Sequence, residues 1–163
     1  MTVSKPDLYR DLTEQLRALL AGEADRIANA ANMAALIYHG LPDLNWAGFY
    51  FRQGPELVLG PFQGKPACVR IPLGKGVCGT AASRAATVLV PNVREFPGHI
   101  ACHPNSRSEL VLPLLPVFAG IAGEVLGVLD LDSPLLARFD AMDQAGCEQL
   151  AALFVDHHHQ YPG

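Results

Sequence analysis

The sequence predicts an α+β fold: a single domain in which a central antiparallel β-sheet is flanked by N- and C-terminal helices. Three observations carry this expectation. Both ends of the chain show apolar residues at helical spacing. The middle contains short β-like runs separated by Gly- and Pro-rich turn signals. Those runs come as hairpins rather than alternating with helices, which fits an antiparallel sheet better than a parallel one.

The elements follow in order. Leu8, Leu12, Leu16 and Leu19 form one helical stripe. Gly22 interrupts it, and Ala24, Ile27, Ala28, Ala31, Ala35 and Tyr38 form a second, so the N-terminal helices span about 6–38. HGLPDLN (39–45) breaks the helix. NWAGFYF (45–51) reads as a strand and ELVLGPF (56–62) as its hairpin partner. KPACVRIPLGKGVCG (65–79) reads mostly as loop, and GVCGTAASRAA as a short helix. TVLVPN (87–92) is a short strand ended by proline. ELVLPLLPV (109–117) and EVLGVLDLD (124–132) are two strands joined by the turn FAGIAG. A helix from Asp140 to about residue 157 closes a domain that covers 1–163, with the sheet and its loops at about 45–132.

Composition narrows the function. The 163 residues carry 12 Lys and Arg against 16 Asp and Glu, a net charge of −4, with no basic run, which argues against nucleic acid. No stretch approaches membrane-spanning length, and the N-terminus MTVSKPDLYRDL lacks the apolar core of a signal peptide, so a cytoplasmic location is expected. In that reducing compartment Cys68, Cys78, Cys102 and Cys147 are poor candidates for structural disulfides.

Strand alternation places side chains on faces. Trp46, Gly48 and Tyr50 share one face of their strand, and Val128, Asp130 and Asp132 share one face of theirs; Glu109, Asp130 and Asp132 are expected to face one pocket with Trp46. Glu109 opens the strand after the Cys102 loop. Two acids in an otherwise apolar strand conflict with burial and need partners or a pocket. Asp132, before Ser133 and Pro134, could be a turn former; Asp130 lies deeper in the apolar run.

FPGHIACHPNSRSELVLP (96–113) sets Cys102 in a polar loop, where a thiol is a poor core residue. His99 and His103 lie close by, but the ten-residue gap from Cys68 to Cys78 does not suit structural zinc, and no metal is expected. Cys68 and Cys78 lie in the Gly/Pro-rich region, where mobility is expected, so three thiols suit exchange chemistry. Cys147, on the apolar side of the last helix, reads as a buried structural thiol. Gly74, Gly76 and Gly79 form a Gly-x-Gly-x-x-Gly that follows no clear strand; the glycines fit a tight helix start whose amides could host a carboxylate better than a dinucleotide site. His157, His158 and His159 read as a solvated tail.

The motifs NWAGFYF, GPFQGKPACVRIPLGKGVCGTAA, VPNVREFPGHIAC, SELVLPL and GVLDLDSP, in that order, resemble the free methionine-(R)-sulfoxide reductases, a family of GAF-domain enzymes. The resemblance runs from about Asn45 through Phe154 and departs in the PVFAGIAGEV hairpin, which is several residues longer. It implies a GAF fold and thiol-dependent reduction of the free amino acid, with thioredoxin as reductant and no cofactor. By matching motif, Cys102 would attack, Cys68 and Cys78 would be resolving positions, and Trp46, Tyr50, Glu109, Asp130 and Asp132 would line the substrate site. A homodimer is admitted by family analogy alone.

The residues agree with that chemistry. Sulfoxide reduction needs an accessible thiolate and an acid near the oxygen. Glu109 or one aspartate could be the acid, since clustered carboxylates raise one another's pKa. Trp46 could cover the methyl group, and a carboxylate could pair with the ammonium. Which acid does which job stays open, as do a non-catalytic GAF-type sensor and a redox switch without a sulfoxide substrate.

Overall fold

The computed structural model describes residues 2–160. The chain runs α1 (Lys5–Leu20), α2 (Arg26–Gly40), β1 (Trp46–Gln53), β2 (Glu56–Gly64), β3 (Arg70–Pro72), α3 (Gly76–Arg84), β4 (Val88–Val90), β5 (Ser108–Leu114), β6 (Val117–Phe118), β7 (Ile121–Ala122), β8 (Gly127–Ser133) and α4 (Ala141–Gln160). Six strands form one antiparallel sheet in the order β3-β2-β1-β8-β5-β4. The fold is α+β, as the sequence predicts.

The N-terminal helices start where side chains can satisfy their free amides. Ser4 caps α1 by accepting from Asp7 N, and Asp25 caps α2 by accepting from Ala28 N. The buried faces differ from the predicted stripes. In α1, Tyr9, Leu12, Thr13, Leu16 and Leu20 are buried, while Leu19 is exposed. In α2 the buried residues are Asn29, Ala30, Met33, Ala34 and Ile37. Alanine fits either face of a helix, so the alanine spacing misplaces the stripe; Met33 and Ile37, the bulkier groups, decide it.

The sheet separates two apolar clusters. On one side Ala47, Phe49, Phe51, Leu110, Leu112, Leu129 and Leu131 pack beneath α1, α2 and α4. On the other, Trp46, Tyr50, Val111 and Val128 pack with α3 and its flanking loops. Period-two alternation in β1, β5 and β8 produces this division, and the candidate residues all belong to the second side.

Three local expectations change. The 65–79 stretch contains β3, a three-residue edge strand that ends at Pro72; a strand so short carries no periodic signal. The predicted turn FAGIAG is a separate β6–β7 ribbon, and the long strands end at Leu114 and begin at Gly127. Pro116, which has no N–H, helps end the ladder there. The three histidines extend α4 instead of forming a solvated tail. His157 hydrogen-bonds the Glu23 carbonyl, Asn29 Nδ2 lies 3.0 Å from His158 Nε2, and His159 meets the Phe118 ring edge-on.

Candidate active site

Strand register assembles the site. Trp46 in β1 lies opposite Asp132 in β8, and Asp132 lies opposite Glu109 in β5. One step along, Gly48 and Val111 flank Asp130. Cross-strand partners project to the same face, so these three carboxyls converge. All three are buried. Gly48 makes room for the aromatic side of the site: a Cβ there would lie 2.3 Å from Phe62 Cβ and 2.8 Å from the Trp46 ring. The Trp46 ring lies nearly parallel to those of Phe62 and Tyr50, at 5.2 and 5.8 Å between centroids, and its Nε1–H donates to the Lys65 carbonyl at 3.0 Å.

The loops above this face supply the thiols. Cys68, between β2 and β3, forms a disulfide with Cys102, between β4 and β5. Their Cα atoms are 5.3 Å apart. The Tyr50 hydroxyl donates to the Cys68 carbonyl at 3.1 Å, which ties the bridge to the sheet. Cys78 belongs to a different environment from the one expected. It lies in the first turn of α3, buried, and its thiol faces Glu109 Oε1 at 3.9 Å. The glycines that precede it set this up: Gly76 has φ +62°, a left-handed backbone that favours glycine and turns the chain into the helix. Cys147 is buried on the other side of the sheet, beside the Tyr9 hydroxyl, and burial pushes its thiol up to about 12.

Cys102 and the three acids line one narrow recess with a cavity volume of about 20 Å³. Tyr50, Cys78, Cys102, Glu109, Asp130 and Asp132 line it. The first turn of α3 forms one wall and the His99–His103 loop another. Trp46 lines the adjoining groove with Lys65, Cys102 and His103. His103 is the residue the sequence reading undervalues. Its ring centroid is 4.6 Å from that of Trp46, and its Nε2 lies 3.4 Å from Asp132 Oδ2 and 3.7 Å from Asp130 Oδ2. Its place next to Cys102 in a polar loop is the available signal.

Burial and crowding distribute the protons. Burial, then the Asp130 and Asp132 charges, push the Glu109 carboxyl well above the usual range. Burial and then Asp130 do the same to Asp132. Burial also pushes Asp130 upward, but the facing His103 and Glu109 outweigh it and hold this carboxylate below its ordinary value. Three carboxyls this close do not all ionise; the charge settles on Asp130 and the protons on its neighbours. Burial, then Asp130 and Glu109, hold the Cys78 thiol protonated. Two sets of ligand atoms, from Cys78, Glu109 and Asp130 and from His103, Asp130 and Asp132, lie within 4.8 Å of one another. Such sets can share protons or a cation. Several of their atoms, including both Asp132 oxygens, are buried without a hydrogen-bond partner, as expected of groups that face a ligand.

The chain is similar to known proteins over most of its length. The GAF domain family profile matches residues 7–155. Protein YtsP of Bacillus subtilis is 52% identical over 145 residues, covering 88% of this chain and 86% of that protein. The free methionine-R-sulfoxide reductase of Escherichia coli is 49% identical over 150 residues, covering 92% and 88%. The X-ray structure of free methionine-R-sulfoxide reductase from Neisseria meningitidis, in complex with its substrate, aligns with a TM-score of 0.89 at 42% identity, covering 98% of this chain and 93% of that one. The chain belongs to the GAF domain family and, within it, to the free methionine-R-sulfoxide reductases.

Proposed function

We propose that the chain reduces free L-methionine-(R)-sulfoxide to L-methionine, using its own thiols as the immediate reductant. One observation carries this reading: the Cys68–Cys102 disulfide adjoins a recess lined by three buried carboxyls, two of which are pushed toward the protonated form.

The Cys102 thiolate attacks the sulfoxide sulfur. Glu109 or Asp132 protonates the oxygen of the adduct, and the hydroxyl then passes to the Cys102 sulfur as the S–O bond and the transient bond between the two sulfurs break. The sulfoxide gains two electrons and becomes a thioether, while Cys102 loses two and becomes a sulfenic acid. The Cys68 thiol then displaces that oxygen as water and forms the disulfide. A dithiol reductant, thioredoxin, accepts the disulfide by exchange and restores both thiols. Cys68 resolves in preference to Cys78, because Cys78 is buried and protonated and therefore a poor nucleophile.

The remaining walls divide the recognition. The rings of Trp46 and Tyr50 cover the substrate methyl group, ionised Asp130 is suited to an ammonium, and the amides at the start of α3 are suited to the substrate carboxylate. Such contacts require a free amino acid and exclude peptide-bound methionine. A cycle that returns to thiols needs a reducing compartment, which supports a cytoplasmic location. No described helix is long and apolar enough to cross a membrane. A homodimer remains an analogy with the family, and a sedimentation measurement decides it.

The test is NADPH consumption in a thioredoxin-coupled assay with the free (R) epimer, the free (S) epimer and a peptide-bound sulfoxide in parallel. Turnover restricted to the free (R) epimer is expected. Equal turnover of all three, or none, sinks the proposal.

A further inference from the structure

The steps above make no use of His103, yet it fills the place where they need substrate. Its imidazole lies against Trp46 at 4.6 Å between ring centroids, and its Nε2 points at Asp130 and Asp132. The side chain is only 9% exposed, and Nε2 forms no hydrogen bond. A group sandwiched between Trp46 and another surface needs about 3.5–4.0 Å of clearance on each side. A ring centroid at 4.6 Å leaves no layer free for a second group.

The covalent neighbour fixes this position. Cys102 is held by Cys68, and Cys68 is held in turn by the Tyr50 hydroxyl on its carbonyl. The turn is closed by Cys102 N donating to the Ile100 carbonyl at 2.9 Å and Ser106 N donating to the His103 carbonyl at 3.0 Å. Residue 103 therefore has little freedom while the bridge is intact. Opening the bridge removes the covalent restraint on its neighbour.

We propose that in the disulfide form His103 is an internal ligand of the substrate cage, occupying the space between the Trp46 ring and the Asp130 and Asp132 carboxyls, so that bound substrate and the disulfide exclude each other. This rests on the assignment of that cage to the sulfoxide substrate. The two partners of His103 are those that suit a small cationic or donor group: an aromatic face and a pair of buried carboxyls. Closing the bridge then expels L-methionine and keeps fresh sulfoxide away from an enzyme that has no thiol to offer. By reciprocity, a ligand in the cage favours the opened bridge.

Trp46 is the chain's single tryptophan, so its fluorescence reports on the cage alone. The experiment titrates L-methionine, which cannot react, into the disulfide form of the wild type and of His103→Ala, and into the reduced wild type. A plug seated nine-tenths of the time weakens binding about tenfold. We expect the disulfide form of His103→Ala and the reduced wild type each to bind L-methionine at least about tenfold more tightly than the wild-type disulfide form. Acrylamide quenching of Trp46, measured without ligand, is expected to rise in the disulfide form of His103→Ala. Equal affinities for the two disulfide forms overturn the proposal, and so does unchanged quenching. If L-methionine binds no form, the substrate assignment fails, and the quenching arm still decides whether His103 covers Trp46. If His103→Ala does not fold, the same quenching compared between reduced and disulfide wild type decides it, and no rise on reduction overturns the plug.

Discussion

Glu109 and Asp132 are direct cross-strand partners, one in β5 and one in β8, and both carboxyls are buried and pushed toward the protonated form. They line the recess that Cys102 of the disulfide also lines.

Glu109→Gln should lower kcat far more than it raises KM, because a proton donor acts mainly in the transition state. The loss expected for a general acid is about 10²–10⁴-fold. Asp132→Asn is the comparison, and the variant with the larger kcat loss identifies the main donor. Steady-state kinetics on the free (R)-sulfoxide measure this. Near wild-type kcat/KM in both variants would make the acids structural.

The same acids should make stability depend on pH. In the folded protein Glu109 and Asp132 keep protons that the unfolded chain releases above the ordinary carboxylate range. The folded state then binds more protons, so stability falls as pH rises from that range toward the raised values. Urea midpoints at several pH values between 5 and 8 should decline for the wild type. They should decline less for Glu109→Gln, which has no proton to lose.

Cys102→Ser should abolish reduction even with a strong chemical dithiol present. Cys68→Ser should still give one equivalent of methionine in a single turnover but fail to cycle with thioredoxin. After one equivalent of substrate, peptide mapping of the wild type should find Cys68 joined to Cys102, with Cys78 and Cys147 reduced. A major disulfide through Cys147 would contradict its position on the far side of the sheet.

Gly48→Ala should destabilise the protein by about 1–3 kcal/mol, the range for an overpacked core. The added Cβ would collide with Phe62 and the Trp46 ring. Thermal unfolding measures the loss, and a shifted Trp46 emission should accompany it. Unchanged stability and emission would mean that the β1–β2 pair relaxes freely there.

The fold was legible where the chain repeats a pattern. Terminal helices, the β1–β2 hairpin and the acid-bearing strand all follow from periodicity, and alternation alone puts Asp130 and Asp132 on one face. What escaped is long-range or depends on size. The alanines of α2 do not say which face packs, since they fit both. Nothing local tells that β5 aligns Glu109 with Asp132, or that α3 buries Cys78 while leaving Cys68 within reach of Cys102. His103 drew attention only as a metal ligand, because its contacts with Trp46, Asp130 and Asp132 join residues far apart in sequence.

Alternation in β1, β5 and β8 also constrains how the gene can change length. Along β1, Trp46 and Tyr50 pack on the side of the recess, while Ala47, Phe49 and Phe51 pack beneath the helices. Inserting or deleting one residue in any of these strands would exchange the two sets beyond that point, sending carboxyls under the helices and leucines into the pocket. Length variation is expected in connections outside the ladder, and the β6–β7 ribbon, which among the described residues forms its own two-stranded sheet, is such a place.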